Sequence, residues 1–196
     1  GQYVDGTTDV TRTIAIGPVG DEEKRAFTLV LKGMIAISKL RWPKGLAGRD
    51  MDALARVALW EQGLDYGHGT GHGVGSYLSV HEGPQRLART GTVPFMPGMI
   101  LSNEPGFYKE GAFGIRIENL IIVEEAPALP DQTVPEMFRF ETLTYVPIDT
   151  RLVDVELLTD AERTWLNDYH AQVLERIGPL VEGKVSTWLT QACAPI

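Results

Sequence analysis

The sequence predicts an α+β fold, and three local patterns carry that prediction. The pair Asp5-Gly6 stands between two short runs of Val, Thr and Ile, which is typical of a β-hairpin. Apolar residues recur at helical spacing from Phe27 to Ile35, which indicates an amphipathic helix. The run from Phe113 to Val123 is rich in Ile, Leu and Val and predicts a buried strand.

The composition suits a folded domain with an acidic surface. The chain has 196 residues, of which 43% are hydrophobic and 22% charged, enough for one domain with a substantial core. A formal net charge of -8 argues against nucleic acid or an anionic membrane surface as partner, and suits carboxylates that hold hard cations. No apolar run approaches the length of a membrane span. The single Cys193 excludes an intrachain disulfide and a Cys-rich zinc site, which fits a reducing compartment such as the cytoplasm.

The N-terminal third predicts a hairpin followed by two helices. Two short strands are expected over residues 2–17, with Asp9 inside the second strand, where aspartate is disfavoured. Asp9 therefore either faces solvent on an edge strand or has a partner that compensates for its burial. One helix begins at Asp21, whose acidic neighbours suit a first turn, and a second helix is expected over residues 50–62.

Three of the four histidines lie in or just after a glycine-rich stretch, His68 to Gly75. Glycines at alternate positions argue against a helix and for an extended strand. On a strand, His68 and His72 would point to the same side, because positions four apart share a face. With His81 close behind, two interpretations stay open: a glycine-rich loop with hydrogen-bonded histidines, or a metal or proton-transfer site.

Two later strands carry candidate carboxylates. A short apolar strand ends at Glu104, directly before Pro-Gly. Along the strand that begins at Phe113, side chains alternate between faces, so Arg116 and Glu118 share one face. That face is either an exposed charged surface or, because a continuous apolar run follows, the location of a buried ion pair.

The tail predicts a linker, a strand and two helices. A Pro-containing linker over residues 126–135 precedes a possible strand over residues 138–148. Thr159 and Glu162 have the spacing of a capping box, which begins a helix. His170 lies among the packing residues of that helix and is interpreted as structural. The two helices carry more large apolar surface than they can bury against each other, so the rest of the chain or a second copy must cover it.

Four residues form a candidate metal site, each in or at the end of a predicted strand. Three carboxylates and one imidazole are an oxygen-rich set that suits Mn²⁺, Co²⁺ or Zn²⁺ in paired sites rather than a structural zinc. Two ions about 3.5–4 Å apart can share one water and deprotonate it near neutral pH. The candidates are Asp9, His72, Glu104 and Glu118.

Five segments, in their order along the chain, carry a resemblance to a known family. They are Asp5-Gly6-Thr7-Thr8-Asp9-Val10-Thr11-Arg12, His68 to Gly75, His81-Glu82-Gly83-Pro84, Asn103-Glu104-Pro105-Gly106 and Ile115-Arg116-Ile117-Glu118-Asn119. Over nearly its whole length the chain resembles the aminopeptidase P (Xaa-Pro aminopeptidase) family of pita-bread metallopeptidases, which includes methionine aminopeptidase, prolidase and creatinase among its relatives. The resemblance implies a mainly antiparallel, curved sheet covered by helices over residues 1–147, and a helical C-terminal extension over residues 148–196.

The resemblance also implies the metal ligands. Asp9, His72, Glu104 and Glu118 would hold two divalent ions, with Mn²⁺ as first choice and Zn²⁺ or Co²⁺ as alternatives. Glu104 would in addition shuttle a proton for the bridging water. In the family a further Asp ligand and a substrate-side His lie upstream of Gly1, so the chain is expected to be a fragment with four of five ligands.

The remaining site residues follow from the same resemblance. His68 and His81 would lie on the substrate side, beside the scissile carbonyl and the proline nitrogen. Arg116 would hold a ligand carboxylate in place, and Tyr108 would contribute a hydroxyl near the site.

The implied function is that of a metal-dependent exopeptidase that removes the N-terminal residue from peptides with proline second. A homodimer through the C-terminal extension and a cytoplasmic location are expected with it. Two alternatives stay open: a catalytically inactive pita-bread domain that binds a protein or peptide, and a prolidase-type dipeptidase.

Overall fold

The centre of the fold is a six-stranded antiparallel sheet on which two helices pack. A computed structural model describes residues 1–77 and 79–196. The elements, in chain order, are β1 (Gln2–Tyr3), β2 (Gly6–Thr7), α1 (Asp21–Ser38), β3 (Arg41–Pro43), α2 (Asp52–Trp60), β4 (Gly71–Val74), β5 (His81–Leu87), β6 (Ile100–Asn103), β7 (Gly106–Lys109), β8 (Phe113–Arg116), β9 (Asn119–Glu125), β10 (Met137–Thr142), α3 (Asp160–Ile177) and α4 (Gly183–Ala192). The central sheet has the order β3-β10-β9-β6-β4-β5 and confirms the predicted α+β class.

Helices α1 and α2 cover the sheet and approach each other closely. A side chain at Gly33 of α1 would place its Cβ 2.1 Å from the carbonyl oxygen of Ala55 in α2, so only glycine fits there. Beneath the helices lies an aromatic cluster in which Trp42 is within 4.4 Å of Phe140, measured between ring centroids. Ala55 of α2 belongs to the same buried cluster as Leu87 of β5 and Leu101 of β6, so the helix packs directly on the sheet.

The N-terminal hairpin is shorter than predicted. Strands β1 and β2 have two residues each, and the predicted second strand does not continue through Asp9. The segment after β2 is instead held by single contacts: Thr11 forms an isolated bridge with Glu118, and the Thr13 hydroxyl donates to the Arg116 carbonyl oxygen over 3.1 Å. Side-chain hydrogen bonds replace a strand ladder here, which a pattern of β-branched residues does not reveal.

The predicted single strand over residues 113–123 is two strands. β8 pairs with β7 in a separate two-stranded ribbon, whereas β9 lies between β6 and β10 in the central sheet. The break falls at Ile117 and Glu118, whose amides bond to Pro105 and Thr11 instead of to either sheet. The chain changes sheets at this point, and Glu118 sits at the change.

The C-terminal tail packs into the core of the rest of the chain. The capping box is confirmed, because the Thr159 amide donates to Glu162 over 2.8 Å and the Glu162 amide donates to Thr159 over 3.3 Å. Leu166 and Val173 of α3 are fully buried with residues of α1, whereas Trp188 of α4 is 56% exposed. The predicted strand over residues 138–148 ends at Thr142 in β10. Of the helices within residues 1–77 and 79–196, none combines the length and the apolar character needed to cross a membrane.

His170 of α3 has the structural position that the sequence predicts. Its side chain is 1% exposed, and its Nε2 accepts a hydrogen bond from the Ile148 amide over 3.1 Å. Burial lowers the pKa of His170 to about 4, and the positive charge of Arg12 acts in the same direction. The imidazole is therefore neutral in the fold at neutral pH.

This lowered pKa predicts an acid-dependent loss of stability. Because the folded pKa of His170 lies below its unfolded value of 6.5, the unfolded state binds the extra proton as the pH falls. The stabilisation is complete above pH 6.5 and is lost as the pH falls toward 4. Between pH 7 and pH 5, we expect His170 to reduce the free energy of unfolding by about 2 kcal/mol.

Urea unfolding of wild type and His170→Gln at both pH values measures this loss. Contributions from other groups cancel in the comparison, since they are common to the two proteins. An equal pH dependence in the two proteins would show that His170 is not the group responsible.

Candidate metal centre

Four acidic or imidazole side chains from separate segments converge beside the central sheet. Asp9 follows β2, His72 lies on β4, Glu104 follows β6 directly and Glu118 lies between β8 and β9. The His72 Nε2 atom is 3.3 Å from Asp9 Oδ2 and 3.3 Å from Glu104 Oε1. Asp9, His72 and Glu118 each offer one possible ligand atom, and these three atoms lie within 4.8 Å of one another. Residues up to 109 positions apart thus meet in one cluster that could hold a metal.

Hydrogen bonds from neighbouring side chains orient the cluster. The Ser102 hydroxyl donates to Glu104 Oε1 over 3.0 Å and accepts from the His72 amide over 3.0 Å. The Thr11 hydroxyl donates to Glu118 Oε2 over 2.5 Å. The His72 Nδ1 atom donates to the Gly73 carbonyl oxygen over 2.9 Å, so Nε2 is the ring nitrogen that faces the carboxylates. An imidazole held in this way is oriented as a metal ligand usually is.

The electrostatics of the cluster favour a bound cation. Burial raises the pKa of the Glu104 carboxyl, and the negative charge of Asp9 raises it further, against the hydrogen bond from Ser102. Burial also raises the pKa of Glu118, with Glu104 and Asp9 acting in the same direction. Like charges therefore repel within the cluster, and a divalent ion among the same oxygen atoms would relieve that repulsion. The donor set fits a hard or borderline divalent metal.

Arg116 lies beside two of the carboxylates. Its Nε atom is 3.9 Å from Glu104 Oε2 and 3.8 Å from Glu118 Oε2, and it donates to the Thr11 hydroxyl over 3.0 Å. The expected buried pair is only half correct, because the Glu118 side chain is 2% exposed and the Arg116 side chain is 40% exposed. Arg116 thus lies at the mouth of the cluster, where it contacts both carboxylates and solvent.

The structure corrects the expected position of His68. His68 precedes β4 and does not lie on a strand, because its carbonyl oxygen accepts a hydrogen bond from the Arg56 side chain instead of from a neighbouring strand. Its Nε2 atom is 2.9 Å from the Tyr108 hydroxyl. His81 begins β5, and its ring centroid is 4.0 Å from that of His72. His68 and His81 both line a cavity of about 530 Å³ that also contains His72, Glu104 and Arg116.

Sequence reasoning missed Arg12 and Tyr169, which connect the tail to the cluster. The Arg12 guanidinium donates to the Glu118 carbonyl oxygen, to Asn119 Oδ1 over 2.6 Å and to the Tyr169 hydroxyl over 2.8 Å. The Tyr169 hydroxyl in turn accepts from the Val146 amide over 3.2 Å. The sequence does show an arginine among β-branched residues close to Asp9. It does not reveal that the partner of this arginine lies 157 positions away.

Comparison with known proteins identifies the family. Residues 1–125 match metallopeptidase family M24, and residues 136–196 match the C-terminal region of peptidase_M24. The chain belongs to metallopeptidase family M24. The carboxylates and the histidine that meet in the cluster are all within the first of these matches.

Several M24 relatives are similar over the whole chain. The chain is 50% identical over 200 residues to a probable Xaa-Pro aminopeptidase P of Tuber melanosporum and 50% identical over 198 residues to aminopeptidase P2 of Arabidopsis thaliana. Each match covers 100% of this chain but 32% and 28% of those relatives. The chain thus spans about a third of the length of the curated relatives that it matches.

Solved structures of the family share the fold. An X-prolyl aminopeptidase from Caenorhabditis elegans, described as a cytosolic enzyme with a di-nuclear active site, superimposes with a TM-score of 0.92 at 44% identity. That match covers 100% of this chain and 32% of the other. An Xaa-Pro dipeptidase from Bacillus anthracis gives a TM-score of 0.58 at 35% identity, over 72% of this chain and 36% of the other. These neighbours confirm the expected pita-bread fold of M24 enzymes.

The contact between Tyr169 and Arg12 predicts a stability cost for Tyr169→Phe. The substitution keeps the ring but removes the hydroxyl that accepts from the Arg12 guanidinium and from the Val146 amide, so the free energy of unfolding should fall by about 1–3 kcal/mol. Tyr145→Phe is the matched control, because that hydroxyl makes a single hydrogen bond to the Thr142 carbonyl oxygen at a half-buried position. Denaturant unfolding of both variants measures the difference. An equal cost for the two variants would contradict the special role of Tyr169.

Proposed function

We propose that the protein is a metal-dependent exopeptidase that removes the N-terminal residue from peptides with proline at the second position. The observation that carries the proposal is the convergence of His72 with three carboxylates, with two more histidines in the lining of the cavity that His72 and Glu104 also line. The identity of about half to relatives named Xaa-Pro aminopeptidase supports the substrate class.

The cluster is the proposed site of two divalent ions. Asp9, His72, Glu104 and Glu118 would hold them, because their donor atoms face one another and their charges repel without a cation. Mn²⁺ is the proposed metal, with Zn²⁺ and Co²⁺ as alternatives that the same donors accept. When bound, such a pair supplies a hydroxide nucleophile near neutral pH and polarises the scissile carbonyl.

Residues of the chain itself supply the proton transfers and the orientation. Glu104 is the proposed proton carrier, because its carboxylate lies beside His72 in the lining of the cavity from which substrate would approach. His68 and His81 line the cavity from which substrate would approach and can donate hydrogen bonds to the carbonyl oxygen and the leaving proline nitrogen. An X-Pro bond has no amide N–H, so these donors must act on the oxygen and nitrogen atoms themselves.

Two further residues hold these groups in place. Arg116 contacts Glu104 and Glu118 and would keep both carboxylates oriented. The Tyr108 hydroxyl would set the orientation of the His68 ring through the bond to Nε2.

The same residues distinguish the peptidase from a binding module but not from a dipeptidase. A binding module without catalysis has no need for Asp9, His72, Glu104 and Glu118 together with a pair of cavity histidines. A prolidase-type dipeptidase would use the same cluster, and the Bacillus anthracis neighbour is named an Xaa-Pro dipeptidase. Peptide length separates the two enzyme classes.

Cleavage of defined peptides by the complete gene product tests the proposal. With Mn²⁺ present, we expect Ala-Pro-Ala to give free alanine together with the dipeptide Pro-Ala, and Ala-Ala-Ala to stay intact. Glu104→Gln should lower kcat at least about 100-fold, because it keeps the shape but removes the proton carrier. The control is Glu110→Gln, an exposed glutamate in the turn between β7 and β8.

Three results would contradict this assignment. Cleavage of the dipeptide Ala-Pro, with Ala-Pro-Ala left intact, would favour a dipeptidase. Binding of Ala-Pro-Ala without cleavage would favour an inactive module. Near wild-type kcat in metal-loaded Glu104→Gln would remove Glu104 from the chemistry.

The proposed assembly is a homodimer through the tail, in a cytoplasmic protein. The tail, residues 148–196, carries exposed apolar side chains at Leu180, Val185 and Trp188, each more than half exposed. A cytoplasmic location agrees with the single cysteine and with the cytosolic description of the Caenorhabditis elegans neighbour.

Light scattering of the complete gene product at micromolar concentration tests the dimer. We expect a dimer for wild type and a monomer for Trp188→Glu, because a buried charge opposes association. Trp60→Glu is the matched control, since Trp60 is a 40% exposed tryptophan outside the tail and should leave the dimer intact. A monomeric wild type would sink the dimer proposal.

A further inference from the structure

Helix α2 carries a buried ion pair that lies outside the metal centre. Asp52 and Arg56 lie one turn apart on α2, and their side chains are 1% and 3% exposed. Arg56 Nε donates to Asp52 Oδ2 over 2.7 Å, and Nη2 donates to Oδ1 over 3.1 Å. A buried pair of this kind is often no more stabilising than apolar residues of similar size. Stability alone therefore does not explain its presence.

Both members of the pair bind the backbone that precedes His72. Arg56 donates to the Tyr66 carbonyl oxygen over 2.8 Å and to the His68 carbonyl oxygen over 2.6 Å. Asp52 Oδ1 accepts from the Thr70 amide over 3.2 Å and from the Thr70 hydroxyl over 2.7 Å. The segment from Tyr66 to Thr70 is thus bound to α2 at three alternate residues.

The same segment leads directly to two proposed site residues. His68 lies in its middle, and the Thr70 carbonyl oxygen accepts a hydrogen bond from the Glu104 amide over 2.7 Å. Thr70 is fully buried, so its amide, hydroxyl and carbonyl groups have no access to water. One residue therefore links Asp52 on one side to Glu104 on the other.

Contacts within the segment are local: the Tyr66 and Thr70 hydroxyls are 2.6 Å apart, and His68 Nδ1 donates to the Gly69 carbonyl oxygen over 2.7 Å. Directly after the segment, a Cβ at Gly71 would lie 1.8 Å from the Ser102 carbonyl oxygen, so a larger residue cannot replace this glycine. Glycine also has more backbone conformational freedom to lose on folding than any other residue. These local contacts do not fix where the segment lies on the protein, whereas the pair on α2 binds its backbone at Tyr66, His68 and Thr70.

We propose that Asp52 and Arg56 are positioning residues that set the location of His68 and Glu104 in the active site. The inference rests on the proposed peptidase function for its kinetic consequence. Arg56 suits this task because its planar fork reaches Asp52 and two carbonyl oxygens at once, which a lysine cannot do. Asp52 provides the acceptor that fixes Thr70.

The test uses Thr70, because removal of Asp52 or Arg56 would take the bidentate partner from a buried charge and destabilise the whole fold. Thr70→Val in the Mn²⁺-loaded complete gene product keeps the volume but removes the hydroxyl bonds to Asp52 and to the Tyr66 hydroxyl. We expect kcat on Ala-Pro-Ala to fall about 10- to 100-fold, the usual effect of losing such a supporting contact. Thr70→Ser restores the hydroxyl and should recover most of that loss. Arg56→Lys, which keeps the charge beside Asp52, should also lower kcat.

Thr28→Val is the matched control. Thr28 on α1 is also fully buried, and its hydroxyl donates to the Lys24 carbonyl oxygen and accepts from the Asp154 amide, both over 2.8 Å. We expect it to lose similar stability and to keep wild-type kcat. Unchanged kcat in Thr70→Val, an equal loss in Thr28→Val, or no rescue by Thr70→Ser would each overturn the proposal.

Crystal structures of the variants separate this inference from the proposed function. If wild type cleaves no peptide, the peptidase function fails, but the positioning claim still has a readout. In Thr70→Val we expect the 2.9 Å contact between His68 Nε2 and the Tyr108 hydroxyl to be broken, and in Thr28→Val to be retained. An intact contact in Thr70→Val would refute the positioning role.

Discussion

The repulsion among three carboxylates is the constraint on which the rest of this structure depends. Asp9, Glu104 and Glu118 meet at one point with His72, and burial together with their mutual charge raises the pKa of both glutamates. A fold that brings such groups together needs donors for their oxygen atoms and a cation to relieve their charge. The surrounding hydrogen bonds and the metal that the family name implies would both reduce the cost of placing these carboxylates together.

Donors reach the cluster from both sides of the molecule. From the tail, Tyr169 of α3 holds Arg12, which binds the backbone at Glu118. From the opposite side, α2 holds the glycine-rich segment through Asp52 and Arg56. The tail is therefore part of the frame around the cluster. The common principle is that ligands on short or irregular segments obtain their precision from rigid helices behind them.

Local patterns predicted local structure, and failed where a distant contact decides the conformation. The helix from Asp21 and the capping box at Thr159 were correct because their signals lie within a few residues. The single strand over residues 113–123 was wrong because the change of sheet at Glu118 depends on Thr11, more than a hundred positions away. The cluster itself was predicted from ordered residue types and a family resemblance, but the arginines behind it have partners that no local pattern reveals.

Anomalous diffraction from crystals of the complete gene product equilibrated with Mn²⁺ tests the central claim, that this cluster is a dinuclear metal site. We expect two peaks about 3.5–4 Å apart, surrounded by the carboxylate oxygens of Asp9, Glu104 and Glu118 and by Nε2 of His72. Peaks only elsewhere on the molecule, or an intact cluster that stays free of Mn²⁺ at millimolar concentration, would contradict it.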